Sequence, residues 1–454
     1  MFGGATSIRR SSQSRARPTV DVAEHAHKRR LLKTCFTEKS VRAASGFIIK
    51  HVDRWNEILA QMAEENHNSS NNLSEGEKGW SPPINFSESV DSLVFDIMGD
   101  LSFGRSFDIK EPGSGGDNPL KVIPHTIASY MRFYYPLCRA PLLPLLLWLK
   151  PRGLDRVFGM LTPPAVRQYN AFVYDNITRR IQLHREQQKE KPDLQQRQDM
   201  FHFLCEARDP DTDLPAYTDT DLRAESSLLI VAGSDTTSIS LSGLFFYLTG
   251  DPAHLRKLTD EIRTTFPDGS ADDIVHGPKL LGCQYLAACI DEGMRLTPTG
   301  PSELPHEVLP GGIVIEGEYY PAGTIVSTCP WADSRNEAVH EGRDACAFRP
   351  ERWIVDPAGT GVTAESVARL RSNFHPFATG PGSCLGKNLA MMEIMIIVAR
   401  TLHRLDVRRA PGSTLGGEGP GLGWGAENER QMQLEDAYVA LRQGPEVQFQ
   451  RRVV

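Results

Sequence analysis

One short stretch near the C-terminus narrows the choice of fold more than any other. It reads Phe377-Ala-Thr-Gly380-Pro-Gly382-Ser-Cys384-Leu-Gly386, and the apolar, helix-capable run from Leu389 to Leu402 follows at once. The spacing sets a cysteine just ahead of a helix N-terminus, where backbone N–H groups and the helix dipole favour a negative sulfur. The flanking glycines let the backbone approach a flat partner closely and donate N–H groups to that sulfur. A thiolate held this way suits a nucleophile or an axial ligand to haem iron. A buried structural cysteine is the third reading.

A second constraint lies upstream. Thr218-Asp219-Thr220-Asp221 caps a long apolar helix that runs to about Thr249 and is closed by Gly250 and Asp251-Pro252. In its middle stands Ala232-Gly233-Ser234-Asp235-Thr236-Thr237. The glycine weakens a helix by about 1 kcal/mol, and a Thr236 hydroxyl can reach back to the carbonyl of residue 232 and bend or widen the turn. Two readings stay open from these residues. Gly233 is a packing glycine beside self-satisfied hydroxyls, or the segment is a polar groove in which Asp235 and Thr236 pass protons.

Glu292 and Arg295 lie three apart in Asp291-Glu-Gly-Met-Arg295, so on a helix they share a face and can pair. Such pairs are common on surface helices and contribute only about 0.3 kcal/mol there. Further on, Phe348-Arg-Pro350-Glu-Arg352-Trp353 offers a second arginine.

Composition removes several function classes. A formal net charge of −7 leaves no basic excess to neutralise phosphates, which argues against nucleic-acid binding. The eight cysteines show no zinc-ligand spacing and no dense framework, as expected of free thiols in a reducing compartment. No run of eighteen apolar residues predicts a transmembrane helix. The longest greasy stretch, 140–149, reads as a core segment or as a patch that dips into one leaflet. The polar, basic N-terminus, Ile8 to Arg17, has no signal-peptide core.

Along the chain, a first helix is expected from Asp21 to Ser40, capped by Asp21, with Leu31, Leu32 and Phe36 on one face and His27, Lys28, Arg29 and Arg30 on the other. Residues 64–82 read as a polar loop and 187–199 as an exposed connection; helices are expected at about 86–100 and 155–190. Helices dominate from 218 to 300. Strands follow between Val308 and Val326, and alternation at 437–441 and 447–450 predicts a final hairpin.

Taken in order, these motifs resemble the cytochrome P450 monooxygenases. The cysteine loop matches the family's pattern of phenylalanine, two residues, glycine, three residues, cysteine, one residue, glycine. The resemblance implies that Cys384 is the proximal iron ligand, that Phe377 packs near the sulfur, and that Gly380 and Gly386 allow a tight turn and close approach to haem. Ala232, Gly233, Asp235 and Thr236 match a distal oxygen groove, with Asp235 and Thr236 as the proton relay. Glu292, Arg295 and Arg352 match a buried triad that locks the cysteine loop and retains haem. Relatives commonly carry propionate-binding arginines where this chain has Gly382 and His306. His306 keeps one hydrogen bond to offer, and the basic face of the first helix, the counterpart of the family's C helix, is expected to compensate.

The implied fold is mainly α with small β-sheets (α+β), a single P450-like domain over residues 1–454 with its motif-bearing core at about 218–404. It is expected to lack the N-terminal anchor and first elements of the family. The implied function is haem-thiolate monooxygenation. O2 would be activated on a small apolar organic substrate of the secondary-metabolite kind, with electrons from NADPH-cytochrome P450 reductase or a similar donor docking near Lys387. Two alternatives are a truncated, non-catalytic haem-binding remnant and a haem-thiolate isomerase or dehydratase; the intact Asp235-Thr236 pair argues against the second. The family works on the cytoplasmic side of the endoplasmic reticulum, so a chain without the anchor is expected to be cytoplasmic or peripheral to the membrane.

Overall fold

Helix-forming sequence dominates the chain. The computed structural model describes residues 22–69, 78–113, 118–190, 197–267, 271–340, 344–359, 361–417 and 428–452. Asp21, the basic stretch 8–17, and parts of the 64–82, 187–199 and 410–427 segments lie outside the described residues. The helices are α1 (Val22–Cys35), α2 (Glu38–Ser69), α3 (Phe86–Phe103), α4 (Ile123–Arg139), α5 (Leu143–Leu149), α6 (Leu154–Leu161), α7 (Pro164–Glu190) and α8 (Met200–Glu206). They continue with α9 (Asp219–Gly250), α10 (Pro252–Thr265), α11 (Pro278–Leu281), α12 (Gln284–Leu296), α13 (Pro330–Asp333), α14 (Ala364–Ser372) and α15 (Lys387–Arg404). The strands are β1 (Ile84–Asn85), β2 (His306–Glu307), β3 (Ile313–Ile315), β4 (Glu318–Tyr320), β5 (Ile325–Val326), β6 (Leu405–Arg409), β7 (Glu435–Ala437), β8 (Val439–Leu441) and β9 (Glu446–Arg451). All pair antiparallel: β1-β9-β6 as one sheet, and β2-β5, β3-β4 and β7-β8 as two-stranded units. The expected class, mainly α with small sheets, is the one observed.

The core is built around α9. Its N-terminus is closed as the sequence predicts: Thr218 Oγ1 accepts from Asp221 N at 3.3 Å and the Asp221 carboxylate accepts from Thr218 N at 3.0 Å. α3 packs along α9, and Phe86 stacks on Phe245 with ring centroids 4.3 Å apart. Each such ring, taken fully out of water, contributes about 1.5–3 kcal/mol. α15 packs on α2 and α9, and its Arg400 forks onto Asp53 of α2 at 2.6 and 2.7 Å. By length and composition α9 could cross a membrane, yet most of its apolar stretch is buried, as in a core helix.

Several expectations need correction. The single first helix is two: α1 ends at Cys35, and Thr37 opens α2, its Oγ1 accepting from Ser40 N at 3.3 Å. The polar stretch from residue 64 stays helical to Ser69. In the connection after α7, Asp199 is buried, caps α8 through His202 N at 2.9 Å, and pairs with Arg180 and Arg197. The greasy 140–149 segment is not core: Leu142, Leu145 and Trp148 are 62%, 49% and 54% exposed. The final strand does not pair with 437–441; β9 joins β6 and β1, while β7 and β8 form their own hairpin.

Candidate functional site

The cysteine loop leaves α14, makes a short 3₁₀ turn over Gly380–Gly382 and enters α15 at Lys387. Gly380 has φ +64°, a left-handed conformation that glycine adopts without strain. Cys384 N donates to Phe377 O at 2.8 Å, which folds the loop back on itself. Cys384 is exposed, and its sulfur accepts from the backbone N–H groups of Gly386 and Lys387. The thiol pKa lies above its ordinary value, because desolvation raises it by more than those two N–H groups and the Arg29 charge lower it. No histidine, lysine or carboxylate side chain hydrogen-bonds the thiol among the described residues, so nothing there makes it an activated nucleophile. Gly386 has an ordinary φ; a methyl on it would stand 3.7 Å from the Cys384 sulfur and 3.8 Å from Phe36.

Of His27, Lys28, Arg29 and Arg30 on α1, Arg29 reaches this loop. Arg29 donates to Ser383 O at 2.6 Å and to Ser383 Oγ at 2.7 Å, beside the position where Gly382 offers no side chain. Lys28 pairs with Glu24, Arg30 with Asp211, and His27 faces Asp209 at 3.8 Å.

On α9, Thr236 Oγ1 donates to Ala232 O at 2.8 Å, the back-bond expected from the sequence. The helix nevertheless stays α-helical through 232–237, so the widened turn is not present. A Cβ on Gly233 would lie 2.5 Å from Met98 Cε of α3, which makes this a glycine of close helix packing. Ala232 is exposed on a helix whose C-terminal half is buried. Desolvation lifts the Asp235 carboxyl to about 7; Asp91 adds to the rise and Arg442 opposes it. Beneath this stretch lies a residue that the sequence reading missed. Glu393 of α15 is buried and hydrogen-bonds Thr237, and desolvation raises its carboxyl to about 8. A lone acid in the Met-Ile run of α15 was the available signal.

Glu292, Arg295 and Arg352 come together as expected, with more partners than expected. The Glu292 carboxylate, 0% exposed, accepts from Arg295 Nε (2.8 Å) and Nη2 (2.9 Å) and from Arg352 Nε (3.0 Å). It also accepts from Arg349 N (2.8 Å) and Trp353 Nε1 (2.9 Å). Arg295 spends its remaining donors on Ser334 O, Ala345 O and Ala347 O. Trp353 then packs on Phe374, centroids 4.7 Å apart, just upstream of the cysteine loop. His306 is exposed on β2 with Nδ1 2.8 Å from Leu304 O, and its described contacts include neither the cysteine loop nor the triad.

With this geometry in view, comparison with known proteins is informative. The family model for cytochrome P450 matches residues 8–415. Cytochrome P450 monooxygenase fscF of Fusarium equiseti is 32% identical over 440 residues, 96% of this chain and 76% of that protein. A cytochrome P450 monooxygenase of Gibberella zeae is 33% identical over 95% of this chain and 90% of its own length. Cytochrome P450 monooxygenase apf7 of Gibberella fujikuroi is 35% identical over 82% of this chain and 66% of its own length.

Proposed function

Because the chain belongs to the cytochrome P450 family, monooxygenases that use haem, we propose that Cys384 is the thiolate that ligates the haem iron. The observation that carries this reading is the setting of Cys384, exposed at the N-terminus of α15 with two backbone N–H groups on its sulfur. The surroundings fit a flat prosthetic group. The face of the loop is open, since a Cβ on Gly380 or Gly382 would meet nothing within 4 Å, and Ala232 is exposed just before the buried C-terminal half of α9. Haem bound there supplies O2 activation, with thiolate electron density favouring O–O cleavage.

The remaining roles belong to the chain itself. Phe377, Gly380 and Gly386 shape the loop that presents the sulfur, and Arg29 holds Ser383 in register beside it. Asp235, with a carboxyl near 7, holds or releases a proton close to neutral pH, and the Thr236 hydroxyl stands next to it in sequence, anchored on Ala232 O. Gly233 lets α3 approach α9, and Glu292, Arg295 and Arg352 retain haem indirectly by fixing the segment before the loop. His306 has an exposed ring available to a haem propionate.

Residues 1–454 are read as one domain, supported by a shared core that runs from Val41 to Phe449. The substrate is a small apolar organic molecule of fungal secondary metabolism. Electrons come from NADPH-cytochrome P450 reductase or a similar donor docking near the exposed Lys387. Unchanged reductase affinity in Lys387→Glu contradicts that docking face. Exposed Phe133, Leu142, Leu145, Trp148 and Met160 support peripheral membrane contact through α4–α6. The test of the activity is isotopic: haem-loaded protein, reductase and NADPH are incubated under oxygen-18 gas with a panel of apolar metabolites. Product carrying a single labelled oxygen is expected. Absence of NADPH-dependent O2 uptake in fully haem-loaded protein contradicts the reading.

A further inference from the structure

Away from the cysteine loop, α7 and α8 bring two imidazoles and a carboxylate together. His202 and Glu206 lie four apart on α8 and so share a face; His184 approaches from α7. One donor atom from each of the three lies within 4.8 Å of the others. His184 is buried, with Nε2 3.2 Å from Glu206 Oε1, and the two imidazole rings sit 6.1 Å apart. His202 Nδ1 is shielded from water and has no hydrogen-bond partner among the described residues. A buried ring nitrogen left unpaired is destabilising, a cost that a histidine in a satisfied core avoids.

The cationic neighbours are already engaged: Arg180 pairs with Asp199, and Arg185 with Asp219. Desolvation lowers the pKa of both histidines, with Arg180 helping and Glu206 opposing in each case. For His202, Asp199 also opposes and Lys39 also helps.

We propose that His184, His202 and Glu206 form a binding site for a divalent transition metal of the zinc class. Two imidazoles select zinc, copper, nickel or iron over magnesium and calcium, and three protein ligands leave a fourth position open. Glu206, with a side chain 45% exposed, puts that position on the solvent side. The ion would clip α7 to α8. α8 in turn accepts from Cys35 of α1 through Phe203 O at 3.5 Å, on the helix that carries Arg29.

The untagged, haem-loaded protein is stripped by dialysis, then titrated with Zn(II) against a chromophoric chelator, and zinc per iron is measured by mass spectrometry. One zinc per chain is expected, with a zinc X-ray absorption edge reporting imidazole ligation. His202→Ala and Glu206→Gln are expected to weaken binding by at least about tenfold, while the exposed His67→Ala leaves it unchanged. Should His202→Ala fail to take up haem, Glu206→Gln, altered only at a half-exposed side chain, carries the test. Wild-type protein that retains no stoichiometric zinc overturns the proposal. So does zinc binding that survives Glu206→Gln undiminished.

Discussion

Replacing Glu292 by alanine probes how the segment ahead of the cysteine loop is held. The carboxylate accepts five hydrogen bonds from four residues, all at 2.8–3.0 Å, and water does not reach it. Its loss strands the Nε of two guanidiniums, one indole N–H and one amide. Removing one partner of a buried, hydrogen-bonded charge pair costs about 3–5 kcal/mol, a large share of the 5–15 kcal/mol typical of whole domains. Arg295 and Arg352 keep carbonyl acceptors, so the lower half of that range, about 3–4 kcal/mol, is expected. Glu292→Gln keeps the shape and one good acceptor, and about 2 kcal/mol is expected. Arg352→Ala is expected to be milder than Arg295→Ala, since the Arg352 side chain is 10% exposed and that of Arg295 only 1%. The pH dependence has a defined sign. Burial alone would raise the Glu292 carboxyl, but Arg295, Arg352 and the Arg349 N–H hold it below its usual 4.5. Its stabilisation is therefore complete above about pH 4.5 and is lost as the pH falls through the lower folded value. The assay is urea unfolding at pH 7, followed by tryptophan fluorescence and by the Soret band in parallel. A Glu292→Ala protein that unfolds within about 1 kcal/mol of wild type refutes the assigned buried network.

Three further outcomes follow from other parts of the structure. Glu393, raised to about 8 by desolvation, favours folding below pH 4.5 and progressively less as the pH climbs to about 8. Glu393→Gln should therefore match wild type near pH 4.5 and exceed it by up to about 4 kcal/mol at pH 9, read as thermal midpoints; parallel pH profiles would contradict this. Gly233→Ala should be close to neutral for stability, because Met98 meets it with its flexible end and alanine restores about 1 kcal/mol of helix propensity. Gly243→Ala, which drives a methyl into the Cβ of buried Thr297, should lose about 1–3 kcal/mol; equal unfolding midpoints for the two variants would show the packing to be wrongly assigned. Arg29→Ala removes both bonds to Ser383 and should speed haem transfer to apomyoglobin by about tenfold, whereas Lys28→Ala leaves the rate unchanged. Equal rates for the two would remove Arg29 from the loop's support.

What could be read from the sequence was local. The Thr218–Asp221 cap and the Thr236 bond to Ala232 depend only on neighbours within a turn or so, and both form as expected. The Glu292–Arg295–Arg352 cluster was reached through the resemblance, yet its Trp353 and Arg349 N–H partners were not, because an acceptor's remaining lone pairs are filled by tertiary approach. The same limit hid which basic residue of α1 meets the cysteine loop: His27, Lys28, Arg29 and Arg30 look alike until the loop after α8 takes up His27 and Arg30. Gly233 reads equally well as groove or packing until Met98 arrives from α3. Thr37 is a cap signal that the apolar pattern through Phe36 obscured. Strand pairing failed for a related reason, since β9 finds β6 and β1 across long loops rather than its nearest alternating neighbour.

The central claim is that Cys384 presents a thiolate to haem iron. Carbon monoxide added to the reduced, haem-loaded protein reports on that bond directly. The account predicts the strongly red-shifted Soret band of thiolate ligation in wild type, lost in Cys384→Ser and kept when any of Cys35, Cys138, Cys205, Cys283, Cys289, Cys329 or Cys346 is replaced by serine in a variant that still folds. A folded, haem-loaded wild type without the band, or a Cys384→Ser protein that retains it, contradicts the account.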